Sequence, residues 1–358
     1  MRTAAPLPLA ALCAALLAVG AAAQDYSLQG PLRERDMTPL HLTRLEMMPA
    51  AASAALGAGW TVETELTHTN TFAKSARVDG YLEARGGRQP FTQADANALL
   101  ARPGNLLYLD GEFGLLATTA HYQWNERLGF FFTLPVYYFT GGAFDSIIEA
   151  YHRTFGLAEE DRPFVSRNEL SVVYRVGRET VSEIGSPASG LSDPIVGARY
   201  RLLPAARRWD LILESAVKIA VRRPGALSTG GSDLGVQLAL HRFFGRSGVY
   251  LDVSAVRPGG PYPEGPYDRR VVPAYTAAYE LGLTHRTSTV LQLYFSPSVF
   301  LHTGVDELDQ PKYEVLGGLR TQRGALTWYV DLIENIVHNN NTPDVGAQLG
   351  ATWKVGGR

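Results

Sequence analysis

Seven charged side chains stand out as able to do chemistry: Asp110, Glu112, Glu214, Glu280 and Asp331, with Lys218 and Arg222. Each falls on the polar side of a run in which apolar and polar residues alternate. Carboxylates near cations can carry protons or steer a charged solute. They can also simply pair across neighbouring strands. We adopt the second account, because charges that share one face of neighbouring strands pair by default. No catalytic residue is assigned.

Other chemistry has little support. The sequence holds no Gly-x-Ser-x-Gly, no His-Glu-x-x-His, no phosphate-binding glycine loop and no cysteine pair. Its eight histidines are scattered without ligand spacing, with His121 and His241 near strand ends and His285 in a turn. We expect no metal and no cofactor. Asn339-Asn340-Asn341 with Asp344 could offer oxygens to calcium, but an Asn-rich turn accounts for them equally well. A lipid-cleaving site would need a serine, a histidine and a carboxylate together. His338 with Glu334, and His152 with Asp145, are the nearest candidates, and neither has an assigned serine.

The elements that must position these residues are strands. Trp209, Leu211, Leu213, Ser215, Val217, Ile219 and Val221 share one face of the run 207–222, and Asp210, Glu214, Lys218 and Arg222 the other. The last run is as clean. Val345, Ala347, Leu349, Ala351, Trp353 and Val355 alternate with Asp344, Gly346, Gln348, Gly350, Thr352 and Lys354. Similar runs recur at 59–70, 105–122, 127–139, 165–176, 178–185, 191–203, 232–244, 248–257, 272–286, 288–302, 312–322, 324–336 and 343–355. Repetition over most of the chain argues for an all-β, antiparallel, up-and-down transmembrane β-barrel of roughly fourteen strands, or twelve if the short polar run 178–185 is loop. Links between runs nearly alternate between short and long, as in barrels with short periplasmic turns and long outer loops. An even count leaves both termini in the periplasm.

Five tryptophans, Trp60, Trp124, Trp209, Trp328 and Trp353, each fall near a short turn or a terminus. An aromatic girdle on one side of the membrane is expected from them. One segment departs from the strand pattern. Phe144, Ile147, Ile148, Tyr151 and Phe155 have helical spacing, predicting a short amphipathic helix over 144–156 in an outer loop. The loop 258–271, rich in proline and tyrosine, is read as a stiff outer loop.

The bulk numbers agree. The chain has 358 residues, 33 Lys+Arg against 35 Asp+Glu and a formal charge of −2, so nothing calls for nucleic acid. Arg2, the apolar stretch from Leu7 to Val19 and Ala21-Ala22-Ala23 read as a signal peptide over 1–23, cut near Ala23. The only cysteine, Cys13, lies inside it, leaving no thiol in the mature chain. Residues 24–58 do not alternate and carry Pro31, Pro39 and Pro49; they form a periplasmic or lumen-plugging segment ahead of the barrel at 59–355.

Gln348-x-Gly350-x-x-Trp353-x-Val355 resembles the C-terminal signal read by the outer-membrane barrel assembly machinery, although Val355 stands where an aromatic is usual and Gly356-Gly357-Arg358 follow. Longer stretches resemble an uncharacterised family of bacterial outer-membrane barrels, catalogued as a domain of unknown function. They are Gly30-Pro31-Leu32 through Pro49, Leu109-Asp110-Gly111-Glu112, Phe144 through Gly156 with Arg162, Gly190-Leu191-Ser192-Asp193-Pro194, Thr229-Gly230-Gly231-Ser232-Asp233, and Glu334-Asn335 through Asp344. The resemblance implies a single-domain barrel and carries no functional residue with it. The expectation is an outer-membrane, porin-like monomer in contact with lipid and the assembly machinery. It would bind a small molecule or let it pass, hydrophobic ones included. A barrel enzyme acting on envelope lipids and a structural or adhesive barrel remain the alternatives.

Overall fold

The computed structural model describes residues 26–142, 144–155, 162–185, 189–203, 208–259, 269–337 and 341–355. The segment read as a signal peptide, the tip of the Pro/Tyr-rich loop and Gly356-Gly357-Arg358 lie outside these residues.

In chain order the strands are β1 (Gly59–Lys74), β2 (Leu106–Gln123), β3 (Leu128–Thr140), β4 (Ser171–Val176), β5 (Glu179–Ile184), β6 (Gly190–Leu191), β7 (Ile195–Arg201), β8 (Trp209–Lys218), β9 (Asp233–Phe244), β10 (Ser247–Arg257), β11 (Val272–Gly282), β12 (Thr287–Ser296), β13 (Lys312–Arg323), β14 (Leu326–Asn335) and β15 (Val345–Val355). Short helices fill three connections: α1 (Ala76–Arg85), α2 (Gln93–Leu100), α3 (Asp145–Phe155), and a single turn α4 (Asp306–Asp309). Helix α3 stands where the spacing of Ile148 and its neighbours predicts one.

Twelve strands close a ring. β1 pairs with β15, each strand from β7 to β14 pairs antiparallel with the next, β3 joins β7, and β2 joins both β1 and β3. Closure pairs the ring strands edge to edge except for a short break between β3 and β7, and such pairing is what allows strands to cross hydrocarbon. The runs 165–176 and 178–185, read as wall strands in the count of fourteen, are not in the ring. They form the hairpin β4–β5, which pairs with the Leu106–Asp110 end of β2 above the barrel. Without them, short and long connections alternate strictly. The β2–β3, β7–β8, β9–β10, β11–β12 and β13–β14 turns lie at the end where the chain enters at Gly59 and leaves at Val355; the long links lie at the other.

Alternation decides the faces. On β8, Trp209, Leu213 and Ser215 are exposed while Asp210, Ile212, Glu214, Ala216 and Lys218 are buried. Around the wall Leu66, Leu116, Leu134, Val236, Leu251, Leu291, Leu319, Val330 and Leu349 all face outward. A soluble protein rarely shows so continuous an apolar band; a lipid-facing belt is the physical reason for one. No helix is long and apolar enough to cross a membrane.

Inside the ring lie residues 26–58. They have no regular secondary structure, and only Ala54 and Ala58 among them are exposed. The chain approaches the wall closely enough that a Cβ at Gly235 would meet Met47 Sδ at 2.6 Å. Gly30, at φ +104°, has its own Cβ position 2.6 Å from the Ala52 nitrogen, so two passes of the segment touch there.

Candidate functional site

An irregular segment inside a barrel presents backbone N–H and C=O groups that must find partners. The wall supplies them as side chains. Glu280 Oε2 accepts the Gln29 and Gly30 N–H groups at 3.0 and 3.1 Å, and the Tyr250 hydroxyl at 2.6 Å. Arg320 donates to Gly30 O, Pro31 O and Glu280 Oε1. Gln292 both accepts from Leu32 N–H (2.8 Å) and donates to Leu32 O (3.2 Å). Asp233 accepts Leu45 N–H at 2.7 Å, and Asp210 accepts Ser53 N–H at 2.9 Å. Lys218, Arg199 and Gln237 donate to the carbonyls of Thr43, Ala51 and Met48. The inward polar residues of this barrel are therefore mostly receptors for its own plug.

Charges on the plug meet charges on the wall. Arg33 lies 3.3 Å from Glu63 and 3.9 Å from Glu65. Lys312 pairs with Asp36, which also takes His41 Nδ1 at 3.0 Å and Thr38 N–H at 2.8 Å. Burial alone would raise the Asp36 carboxyl, but Lys312 and His41 overcome that and hold it far below the usual range. For His41, burial opposes protonation; bonds to Asp36 and Glu46 outweigh it and raise the imidazole. Burial, and then the facing Glu314, push the Glu34 carboxyl well above its ordinary value.

Two sectors are poorly satisfied: His241 with Asp252 on β9 and β10, and an acidic seam against the plug. Glu65 Oε2 and both oxygens of Asp331 are buried without a hydrogen-bond partner among the described residues, and beside them Glu34 and Glu314 bond each other carboxyl to carboxyl. Glu34 faces Glu314 and Asp331, and Asp331 also acts on Glu65. The seam runs between the plug and β1, β13 and β14. A small cavity lined by Arg33, Glu63, Arg320, Thr327 and Thr352 sits at its short-turn end, and another lined by Thr38, Leu40, Ser298, Lys312 and Asn341 at its long-loop end.

The seven charges singled out in the sequence divide three ways. Glu214, Lys218, Glu280 and Asp331 are buried and face the plug. Asp110 and Glu112 are also buried, but on the outer face of β2, the side of exposed Leu116; Phe113, Leu115 and Ala117 are the residues that turn inward, against Met37 and Leu42. They lie above the belt, beneath α3 and the 162–170 segment. Glu112 accepts Phe144 N–H at 2.6 Å and contacts His68 Nε2 at 2.7 Å, whose Nδ1 is 3.0 Å from the Tyr138 hydroxyl. Tyr108 donates to Asp110 at 3.1 Å, and Arg162 ties together Asp145, Asn70 and Asp344. Polarity alone could not separate a lumen from a covered cap. Arg222 is exposed beyond the end of β8, which stops at Lys218, so it does not line the lumen.

All five tryptophans are exposed and lie at the short-turn end. In the C-terminal pattern, Gln348 donates to Arg33 O at 2.8 Å, and a Cβ at Gly350 would meet the Tyr329 ring at 2.1 Å. Both residues thus have local structural reasons to be there; Trp353 and Val355 face outward. Asn341 donates to Gln310 O and Asp344 bonds Arg162, while Asn339 and Asn340 lie outside the described residues. His338 and the His152 side chain also lie outside them. Sequence reasoning missed the plug-binding Arg199, Gln237, Gln292 and Arg320. Their only signal was an inward position on a strand.

A family model described as "Protein of unknown function (DUF3187)" matches residues 8–355. No curated protein matches the chain. Among solved structures, the chain is similar to the NanC porin (7% identity, TM-score 0.40, 68% of this chain and 94% of that one). It is also similar to the toluene transporter TodX of P. putida (10%, 0.35, 90% and 97%) and to the translocator domain of the autotransporter NalP from Neisseria meningitidis (10%, 0.38, 83% and 89%). The fold assignment rests on the closed ring itself.

Proposed function

The chain belongs to the DUF3187 family, and from its geometry we propose that it is an outer-membrane barrel through which a small molecule passes when its plug shifts locally. The observation that carries this reading is the seam of buried acidic side chains, Glu34, Glu65, Asp331 and Glu314, which is short of hydrogen-bond donors at Glu65 and Asp331 and has a cavity at each end. Elsewhere the plug is latched by many bonds. At ~1 kcal/mol per neutral bond and ~1.5–3 where a charge takes part, ejecting the whole segment would cost on the order of 10 kcal/mol or more. A local shift along the least satisfied side costs far less. The acidic lining favours a polar solute, neutral or cationic, over a hydrophobic one. In this reading the long loops face outward from the cell and the five tryptophans sit in the periplasmic headgroup layer. The molecule acts as a monomer, and Trp353 and Val355 present the assembly signal.

Planar-bilayer recordings test the proposal. The full chain should show small, cation-selective openings, and a variant lacking 24–58 a large steady conductance. Cysteines placed at Ser27 and Gln322, whose side chains touch, should close the full chain until reduced. Asp331→Asn with Glu65→Gln should lower cation selectivity, because it removes two acidic side chains from the seam. Silence of both the full and the plug-deleted chains would refute it.

A further inference from the structure

The wall has one place where two neighbouring strands part. β3 pairs with β7 from Leu128 to Thr133, then with β6 only at Val136 and Tyr137. Between these, Leu134 and Pro135 face Ser192, Asp193 and Pro194, and the crossing bond is Ser192 N–H to Pro135 O at 2.8 Å. Pro135, whose carbonyl faces the gap, has no N–H to give there, so the ladder cannot close. A groove of about 660 Å³ results on the outer face. Leu134, Leu191, Pro194 and Val221 line it, together with Arg222 and Arg223.

The groove is built. Asp193 is fully buried, and its Oδ1 accepts the backbone N–H groups of Val221 (3.0 Å) and Arg222 (3.2 Å). Its Oδ2 accepts the Ser228 hydroxyl, and Ser192 Oγ donates to Leu227 O at 2.6 Å. One carboxylate thus fixes, beside the gap, the stretch that carries both arginines. Leu134, Leu191 and Val221 are 39%, 53% and 65% exposed. Neither guanidinium has a partner among the described residues. Leu134 lies six residues along β3 from Leu128, about 20 Å at ~3.3 Å per residue, which sets the groove in the half of the belt nearest the long loops. The arginines lie past the strand end, where such side chains reach headgroups.

We propose that this groove binds one anionic phospholipid of the surrounding leaflet, its acyl chain on Leu134, Leu191, Pro194 and Val221 and its phosphate on Arg222 and Arg223. An apolar wall alone is wetted by any lipid. Two guanidinium groups, unpaired among the described residues and held by a buried carboxylate over an apolar cleft, select an acyl chain that ends in an anion. The site does not depend on whether the lumen conducts.

Native mass spectrometry of the full barrel in dodecyl maltoside tests this with dioleoylphosphatidic acid and dioleoylphosphatidylcholine. The wild type should retain one phosphatidic acid and no phosphatidylcholine. Retention should fall about tenfold in the Arg222→Ala/Arg223→Ala variant, the loss of roughly one charge-assisted contact. Leu191→Glu should weaken it similarly, with folding of each variant verified by heat-modifiable gel mobility. Equal retention by the wild type and the arginine variant would overturn the site. So would displacement of the lipid by an equal concentration of inorganic phosphate, which would mark a free-anion site.

Discussion

Lys312 opens the wall strand β13 and points at Asp36 of the plug, with Thr38 and His41 beside it. Both charges are nearly dry, at 8% and 1% side-chain exposure. Removing one partner of a buried pair strands the other, at a cost of about 3–5 kcal/mol, whereas removing both can be nearly neutral. Lys312→Met should therefore speed tryptic cleavage at Arg33, Arg35 and Arg44, and adding Asp36→Asn should slow it again; digestion followed by mass spectrometry reads both. The run Arg33-Glu34-Arg35-Asp36 is visible in the sequence as alternating charge in a segment with no strand pattern. Which wall residue each charge would meet is not, because the partners lie far along the chain and share only an inward position.

Elements were legible as strands but not as members of the ring. β4 and β5 alternate as a wall hairpin does, because a flap packed on both faces needs the same spacing as a wall between lipid and lumen. Phe72, Tyr108, Val173, Leu82 and Leu99 cover one face of the flap, and Leu107, Leu109, Val176 and Phe300 the other. β2 belongs to both, entering the ring at one end and the flap at Leu106–Asp110, so Asp110 sits in the flap and Glu112 at the ring's rim without any break in their alternation. Salt bridges fasten the cap. Arg167, and then burial and Arg88, set the Glu149 carboxyl at about 2, a net lowering. Replacing Ser171–Ile184 by a Gly/Ser linker should leave the ring closed while the cap loosens. Retained heat-modifiable mobility with faster proteolysis around α1 and α2 is the expected result; loss of the folded band would return β4 and β5 to the wall.

At the scale of the whole molecule, plug and wall respond together to pH. The raised His41 and Glu34 bind protons more tightly in the seated plug than in a released one. Their contribution to seating is complete below the ordinary values, about 6.5 and about 4.3, and declines as pH rises above each. Asp36, held low, contributes above about 3.9 and weakens seating only in stronger acid. Between about pH 5 and pH 8 the plug should therefore loosen, raising single-channel open probability, and His41→Asn with Glu34→Gln should flatten the profile. An unchanged profile in that double variant would show that other groups set the response.

The sequence by itself determined the barrel class, most strand spans to within about four residues (the start at 165 and the end at 302 overran by six), the outward grease and the one-ended placement of the tryptophans. Each follows from a period of two and from where turns fall, and these are local properties. Only the tertiary structure decided that twelve strands close, that the N-terminal segment fills them, and that Asp110, Glu112 and Arg222 stand outside the lumen. Those facts depend on which strand ends meet and on what covers them, and a covered outer face and a polar inner one have the same spacing along the chain.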